Sequence, residues 1–500
     1  MLSQRECTKT ISSHNVRRPT LDPDNWDEVR ALGHRMLDDT FDWLASVRDR
    51  PVWQPMSSEA RALLDAPLPI EGEDAATVYG QFLRAVRAFP LGNVHPRFWA
   101  WVIGTGSPIA VLAEMLSAAM NVNVVGGDQA ATRVELQVLD WSKEMVGFPR
   151  DASGILVSGG SIANLVGLTV ALRARAGVDV TRAGVGAAGR EFTMYASTET
   201  HNSVRKAVGM LGLGTDALRM IPCNDAFEID LPALTRAIAS DRAAGRQPIA
   251  VVGNAGTVNT GAIDPLAALA DLCEREDLWL HVDGAIGAPA RLSPEITPLF
   301  RGLERADSVA FDFHKWLYVP YDAGCILVRD AAAHRAAFTE PAAYLARTSR
   351  GLWSDDTVAF GDYGPELSRP FRALKIWMTL KTLGARRHAE CIEANVGQAK
   401  LLANLVRADE HLELLAPVPL NVVCFRFTAP ELSDAELDAI NAEILLELQE
   451  DGIAVVLQTH VGDKLALRAA ITNHRSRPED FEILAREVAS RGRRLMAAPR

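Results

Sequence analysis

Two residues near the middle of the chain have the types and settings for carbonyl–amine chemistry. The apolar run Leu278–Val282 ends in Asp283, and the run Ser308–Asp312 is followed by Phe313, His314, Lys315 and Trp316. A lysine beside aromatic groups in a closed site can have a depressed pKa, which favours the neutral amine that a Schiff base requires. A carboxylate facing a pyridine nitrogen keeps that nitrogen protonated and makes the ring an electron sink, so Asp283 together with Lys315 suits pyridoxal chemistry. Each residue alone has an ordinary alternative, Asp283 as a helix cap and Lys315 as a surface lysine. A third feature is Gly159-Gly160-Ser161, which follows the run Ile155–Ser158 and opens a helical stretch. Free N–H groups and the positive end of a helix can hold a phosphate there, although an ordinary strand–helix turn has the same look. Neither a Walker lysine pattern nor a full GxGxxG accompanies it.

The elements that must position these residues alternate along the chain. Short β-rich runs at Ile155–Ser158, Phe192–Ser197, Pro248–Gly253, Leu278–Asp283, Ser308–Asp312 and Gly324–Val328 are separated by apolar-periodic helices such as Ser161–Arg175, Leu231–Ala244 and Pro265–Glu276. That alternation predicts an α/β unit with a largely parallel sheet covered by helices on both faces, in which ligands gather beyond the carboxyl ends of the strands. Before it, residues 25–150 read as a helical arm, with amphipathic stretches at Asn25–Val47 and Pro108–Met120 after a flexible tail over 1–24. The cofactor-binding unit is expected over 151–384. The turn-rich stretch from about Thr339 to Pro370 reads as a long, mobile functional loop, and a strong helix is expected over Phe371–Leu383. Strand candidates at Asn421–Phe427, Ile453–Gln458 and Leu465–Thr472 predict a small α+β domain over 385–500.

Composition narrows the function classes. A 500-residue chain that is 48% hydrophobic and 23% charged is expected to be a multidomain globular protein, with no apolar run long enough for a membrane span. The first residues lack an apolar core before a cleavage site, which predicts a cytoplasmic protein. Six scattered cysteines without a CxxC pair suit free thiols, with neither a disulfide framework nor a metal site. A formal net charge of −11 disfavours a nucleic-acid partner, and the short run Arg491-Gly492-Arg493-Arg494 reads as a solvated helix end.

Further segments complete a pattern: His95–Trp101 (HPRFWAW), Thr200–Ala207 (THNSVRKA), Gly253–Asp264 (GNAGTVNTGAID), His281–Gly287 (HVDGAIG) and Asp312–Trp316 (DFHKW), besides the GGS turn. In type, order and spacing they resemble the pyridoxal-phosphate-dependent group II decarboxylases, which include aromatic-L-amino-acid, tyrosine, histidine and glutamate decarboxylases. The resemblance runs from about Asn93 to Gly384. It implies an aspartate-aminotransferase-like (fold type I) architecture, pyridoxal 5′-phosphate (PLP) as cofactor and decarboxylation of an L-amino acid, aromatic or otherwise bulky, to an amine and CO₂. By the same resemblance Lys315 holds the cofactor aldehyde, Asp283 faces the pyridine nitrogen, and His201 stacks on the open face of the ring. Ala285 packs beneath the ring, Thr257 lies near its ring oxygen, and Gly160, Ser161 and His314 serve the phosphate. Tyr344 is similar to the loop tyrosine that supplies or relays a proton to Cα. Relatives that form aldehydes by oxidative deamination carry phenylalanine at that position or asparagine for the stacked histidine, so Tyr344 and His201 favour plain decarboxylation. Besides that oxidative outcome, a catalytically silent homologue is the third reading, which the retention of Lys315, Asp283 and His201 argues against.

Phe98, Trp99 and Trp101 are expected to line the substrate side of the pocket, where an aromatic wall suits a bulky side chain; packing within the arm is the alternative. The family implies a twofold homodimer with the site at the subunit interface, and Trp26 and Trp43 are candidates for the arm's contact surface. Asn121 and Asn123 fall where the aromatic-amino-acid enzymes place apolar residues of the partner subunit, which predicts a more polar pocket. Asp312 stands where related enzymes often carry asparagine, and a carboxylate beside the phosphate needs a hydrogen-bond partner or a raised pKa.

Overall fold

The computed structural model describes residues 20–340 and 347–497. Five helices come first: α1 (Trp26–Ala45), α2 (Ser58–Leu64), α3 (Ala75–Ala85), α4 (Pro108–Met120) and α5 (Ala130–Val146). The first starts where Asn25 accepts a hydrogen bond from the Asp27 N–H, a side-chain cap that satisfies one of the orphan donors of the helix terminus. Helix α4 opens on Pro108, which has no N–H to leave unpaired, and stops at Asn121 in the left-handed region (φ 45°). No residue of α1 is buried.

The central sheet has seven strands, β1 (Ser153–Val157), β2 (Phe192–Ser197), β3 (Leu218–Ile221), β4 (Gln247–Asn254), β5 (Trp279–Asp283), β6 (Ser308–Asp312) and β7 (Gly324–Val328), in the order β1-β7-β6-β5-β4-β2-β3. The six expected runs are all strands of this sheet. Only β3 escapes the pattern, because its four residues are too few to show a period. The strands from β3 across to β6 are parallel, whereas β7 runs antiparallel to both β6 and β1. The reversal has a simple cause: the connection 313–323 contains no helix, and a parallel return needs a longer crossover. That short connection carries His314 and Lys315. Helix α6 (Gly160–Arg175) packs across β4 to β7, and ten of its sixteen residues are buried, which is why it reads as apolar almost all round.

A second, antiparallel sheet has the order β10-β11-β9-β8, formed by β8 (Leu412–Leu414), β9 (Val422–Phe427), β10 (Leu457–Val461) and β11 (Lys464–Ala470). The strand expected over Ile453–Gln458 begins only at Leu457. Its first half is taken by another partner, since the Trp99 N–H donates to the Val455 carbonyl and the Val455 N–H to that of Arg97. The helix expected over Phe371–Leu383 starts at Arg372 and, after a break at Gly384 (φ 76°), continues to Ala408. The turn-rich stretch before it is not all surface. Phe360 and Arg369 are buried, and the Arg369 guanidinium pairs with the Glu135 carboxylate in the interior, so the end of this stretch belongs to the core. The sequence misleads here because a buried ion pair contributes no apolar period.

Candidate active site

The carboxyl ends of the parallel strands open onto a cavity of about 510 Å³. Its floor is Asp283, the last residue of β5, which is almost entirely buried. One carboxylate oxygen accepts from the Ala285 N–H (3.1 Å) and the other from the Asn164 side-chain amide (2.8 Å). Both oxygens thus have a donor of their own, which fixes the orientation of the carboxylate. His201 lines the same cavity at the N-cap of the helix Asn202–Met210. Its Nδ1 accepts from the Ser203 N–H (3.2 Å) and lies 2.8 Å from the Ser203 hydroxyl, and burial lowers its pKa, favouring the neutral ring.

Lys315 also lines the cavity, but its setting differs from the aromatic one expected. Trp316 turns away and donates its indole N–H to Asn395, and Phe313 packs in the core against Phe311. The lysine Nζ instead lies 2.8 Å from the buried carboxylate of Asp312. Neither Asp312 oxygen has a well-directed hydrogen bond, so the ion pair is what offsets the cost of burying this charge. His314 accepts the Ala323 N–H at Nδ1 (3.1 Å), which directs Nε2 towards Asp312, 3.7 Å away, and its ring packs against Tyr321 at a tilt of 35° with centroids 4.3 Å apart. Burial lowers its pKa as well.

The glycine turn lies against these groups. Helix α6 begins at Gly160 with no side-chain cap, leaving its first N–H groups for another acceptor. A Cβ added at Gly160 would come within 2.8 Å of Asp312 Oδ2, and one at Gly159 within 3.1 Å of His314 Cε1. The absence of side chains keeps this corner open, and Ser161 and Ala285 complete its lining. The uncapped helix start would hold an anion, Ala285, His201 and Asp283 would line the space for a planar ring, and Lys315 would supply the amine for an aldehyde. The residues present therefore suit PLP in donor type and in shape.

Three expected site residues, Trp99, Phe98 and Thr257, stand elsewhere. Trp99 is fully buried, stacks on Phe481 (centroids 4.8 Å apart) and donates its indole N–H to Ser476, because its backbone is drawn in through Val455 and Ala470. Phe98 packs with Val52, Ala100 and Val455, leaving Trp101 as the one member of that trio on the cavity wall. The Thr257 hydroxyl is used within its own loop, 3.0 Å from Thr260 Oγ1 and accepting the Ala262 N–H. Asn121 is an exposed left-handed cap, and the Asn123 amide bonds to the backbone of Leu367 and Arg369, so neither enters the cavity of its own chain. Tyr344 lies outside the described residues.

Among the cavity residues that were not expected, Asn164, Tyr321 and Arg468 stand out. Asn164 was visible only as a polar residue inside an apolar helix. Tyr321 follows Lys315 without a motif. Arg468, on β11, comes from the second sheet: it is 4% exposed, donates Nε to the Asn259 carbonyl and leaves Nη2 without a partner. Only the packing of the two sheets brings it here.

The comparisons with known proteins agree with this geometry. The pyridoxal-dependent decarboxylase conserved domain matches residues 57–428. An aromatic-L-amino-acid decarboxylase of Bacillus atrophaeus is 34% identical over 459 residues, covering 91% of this chain and 93% of its own. A phenylacetaldehyde synthase of Petunia hybrida is 31% identical over 474 residues, covering 90% and 91%. Among solved structures, that of Oryza sativa TDC with PLP and tryptamine superposes with a TM-score of 0.87 at 28% identity, over 95% of this chain and all of that one. Catharanthus roseus tryptophan decarboxylase in complex with L-tryptophan gives a TM-score of 0.84 at 26% identity, over 94% and 99%. Agreement of this extent, on a sheet that ends in a glycine turn, a buried carboxylate and a lysine, means that the chain belongs to the pyridoxal-dependent decarboxylase family and is an amino-acid decarboxylase that uses PLP.

Proposed function

We propose that the substrate is an L-amino acid with an aromatic or similarly bulky side chain, and that Lys315, Asp283 and His201 carry the chemistry. What supports the assignment above all is that these three line one cavity, with Lys315 and the glycine turn brought together by the reversal at β7. Bound there, the cofactor supplies the sink for the electrons released when the Cα–carboxylate bond breaks. Asp283, held in place by Asn164 and Ala285, would face the cofactor's pyridine nitrogen and favour its protonated form. His201 offers a flat neutral face and one N–H to the cavity. Gly160, Ser161 and His314 hold the phosphate, and Lys315 anchors the aldehyde and is kept oriented by Asp312.

Arg468 extends this reading. A buried guanidinium with an unpaired Nη2 on the cavity wall is a receptor for a carboxylate, and burial lowers its pKa, so an incoming anion relieves an existing cost. Trp101 and Tyr321 give the wall its aromatic character, and the aromatic substrates named for the relatives agree with them. Tyr344 remains the candidate proton donor to Cα.

A twofold homodimer and a cytoplasmic location belong to the same proposal, as does the division into arm, cofactor-binding unit and C-terminal unit. The dimer is supported by α1, which has no fully buried residue in its own chain and exposes Trp26, Val29 and Met36. The five described cysteines are all free thiols, which suits a reducing compartment. No helix among the described residues is long and apolar enough to cross a membrane.

The deciding experiment incubates the holoenzyme with a panel of L-amino acids and follows CO₂, amine and peroxide, with Lys315→Ala as control. Amine and CO₂ in equal amounts, absent from the control, are the expected result. The aldehyde-forming relative from Petunia gives one specific reason for a second reading, in which O₂ is reduced to H₂O₂ while ammonia and aldehyde replace the amine. Peroxide in step with CO₂ would establish it.

A further inference from the structure

Asn164 hydrogen-bonds both Asp283, at the floor of the site, and Ser203, the partner of His201. It is 1% exposed, in the second turn of α6. One amide hydrogen is donated to Asp283 Oδ2 (2.8 Å) and the other to the Ser203 hydroxyl oxygen (3.0 Å). Its carbonyl oxygen lies 2.9 Å from His281 Nε2. The orientation of the amide follows from charge: turned over, it would set a carbonyl oxygen against the Asp283 carboxylate.

The remaining proton positions follow in sequence. His281 Nε2 must donate to the Asn164 carbonyl, so its Nδ1 is the acceptor for the Ser308 hydroxyl, 2.8 Å away, and Ser308 in turn accepts the Trp279 indole N–H. Burial pushes the His281 pKa down to about 4, in keeping with a neutral ring. On the other side, Ser203 accepts from Asn164 and therefore gives its own proton to His201 Nδ1. That nitrogen already receives the Ser203 N–H, so the proton of His201 resides on Nε2. Gly167, one turn along α6, makes the approach possible, since a Cβ there would lie 2.6 Å from His281 Cε1. Every side chain between Trp279 and Asp283 in this chain of bonds is buried.

We infer that Asn164 is a positioning residue, which holds the carboxylate at the floor of the site and, through Ser203, the imidazole at its face in a single hydrogen-bonded unit braced from behind by His281, Ser308 and Trp279. The inference rests on the reading of Asp283 and His201 as the ring's two partners. It has two arms with different consequences. The Asp283 arm governs how tightly PLP is held. The Ser203 arm governs the protonation of His201, because Nδ1 gains a proton only by displacing two donors. The other charged groups acting on His201 are Asp283, Lys315, Asp312 and Lys206, none of which is altered by a change at Ser203.

The test compares Asn164→Leu, which keeps the side chain's shape, with Ser203→Ala. PLP affinity is measured by spectral titration of the apoprotein, and the His201 pKa by NMR of ¹⁵N-histidine-labelled apoprotein, its resonance identified by its loss in His201→Asn. Asn164→Leu is expected to weaken PLP binding about tenfold and to raise the His201 pKa, a charge-assisted hydrogen bond being of that order. Ser203→Ala is expected to shift the His201 titration while leaving PLP affinity within about twofold. If Asn164→Leu does not fold, Asn164→Asp takes its place, since it keeps an acceptor for His281 and has at most one proton for the two acceptors. A folded Asn164 variant with unchanged PLP affinity and unchanged His201 titration overturns the inference, as does a Ser203→Ala protein that loses PLP as severely as the Asn164 variant. Wild-type protein that takes up no PLP would instead sink the assignment of the site, while the histidine titration would still decide whether Asn164 and His201 are tied.

Discussion

The floor of the cofactor cavity and helix α1 are opposites within one chain. Around Asp283 the side chains of Asn164, Ser203, His281 and Ser308 are buried and paired, whereas α1 has no fully buried residue among its twenty and leaves Trp26, Val29 and Met36 in solvent. The first region is finished by its own fold. Buried polar groups left unpaired are costly, so a cluster of this kind exists only where each member has its partner. The second region packs its apolar residues only partly, with Leu37, Phe41 and Trp43 half-buried and Trp26, Val29 and Met36 left exposed. The difference separates a region completed within one chain from one that, under the proposed dimer, a second copy would cover.

The sharpest way to break this comparison is at the floor. Asp283→Ala is expected to lower decarboxylase turnover by roughly 10²–10³-fold by removing the charge that preorganises the site, while sedimentation shows an unchanged assembly. A loss of assembly in that variant would mean that the two regions are not independent. Next in size is Trp99→Ala. The indole fills the core of the second sheet, so denaturant unfolding should show a loss of about 3–5 kcal/mol, with the order of substrate preference kept among molecules that remain folded. A changed preference would return Trp99 to the pocket wall.

Acid should weaken the buried region in a defined direction. Burial pushes His281, His334 and His474 from the ordinary 6.5 down to about 4 in the folded chain. Between those values the unfolded state binds more protons, so stability rises with pH across the window. It is fully present above 6.5 and is lost progressively as pH falls towards about 4. Denaturant midpoints measured from pH 7 to pH 4 check the sign, and a midpoint that rises on acidification contradicts it. At the arm, replacing Trp26 and Met36 by glutamate should shift sedimentation from dimer towards monomer while PLP uptake is retained, which would sharpen the division between the two regions. The smallest effect is expected for Trp101→Ala, about a tenfold rise in KM for the best aromatic substrate with a smaller change in kcat, since one apolar contact discriminates by only one to three kcal/mol.

How far these conclusions were legible beforehand depends on the kind of interaction. Lys315, Asp283 and the glycine turn could be singled out directly, because each sits at a strand end or helix start that apolar periodicity already locates, whereas His201 was singled out only by the family resemblance. The six runs of the central sheet were legible for the same reason. The direction of β7 was not, since strand polarity depends on the length of the connection and on which neighbour is free to pair. Trp99 and Trp101 are two residues apart and look alike in one dimension, yet hydrogen bonds to Val455 and Ala470 draw one into the core of the second sheet and leave the other, at a left-handed φ of 50°, on the cavity wall. Arg468 and Asn164 carry no motif at all, and their roles arise when the second sheet closes over the first and α6 comes down on His281. The sequence by itself determined the reaction class, the cofactor and the residues at the strand ends, because these depend on residue type and short-range order. The tertiary structure decided which side chains face the cavity and which atom of each holds a proton, because both depend on contacts between segments far apart in the chain.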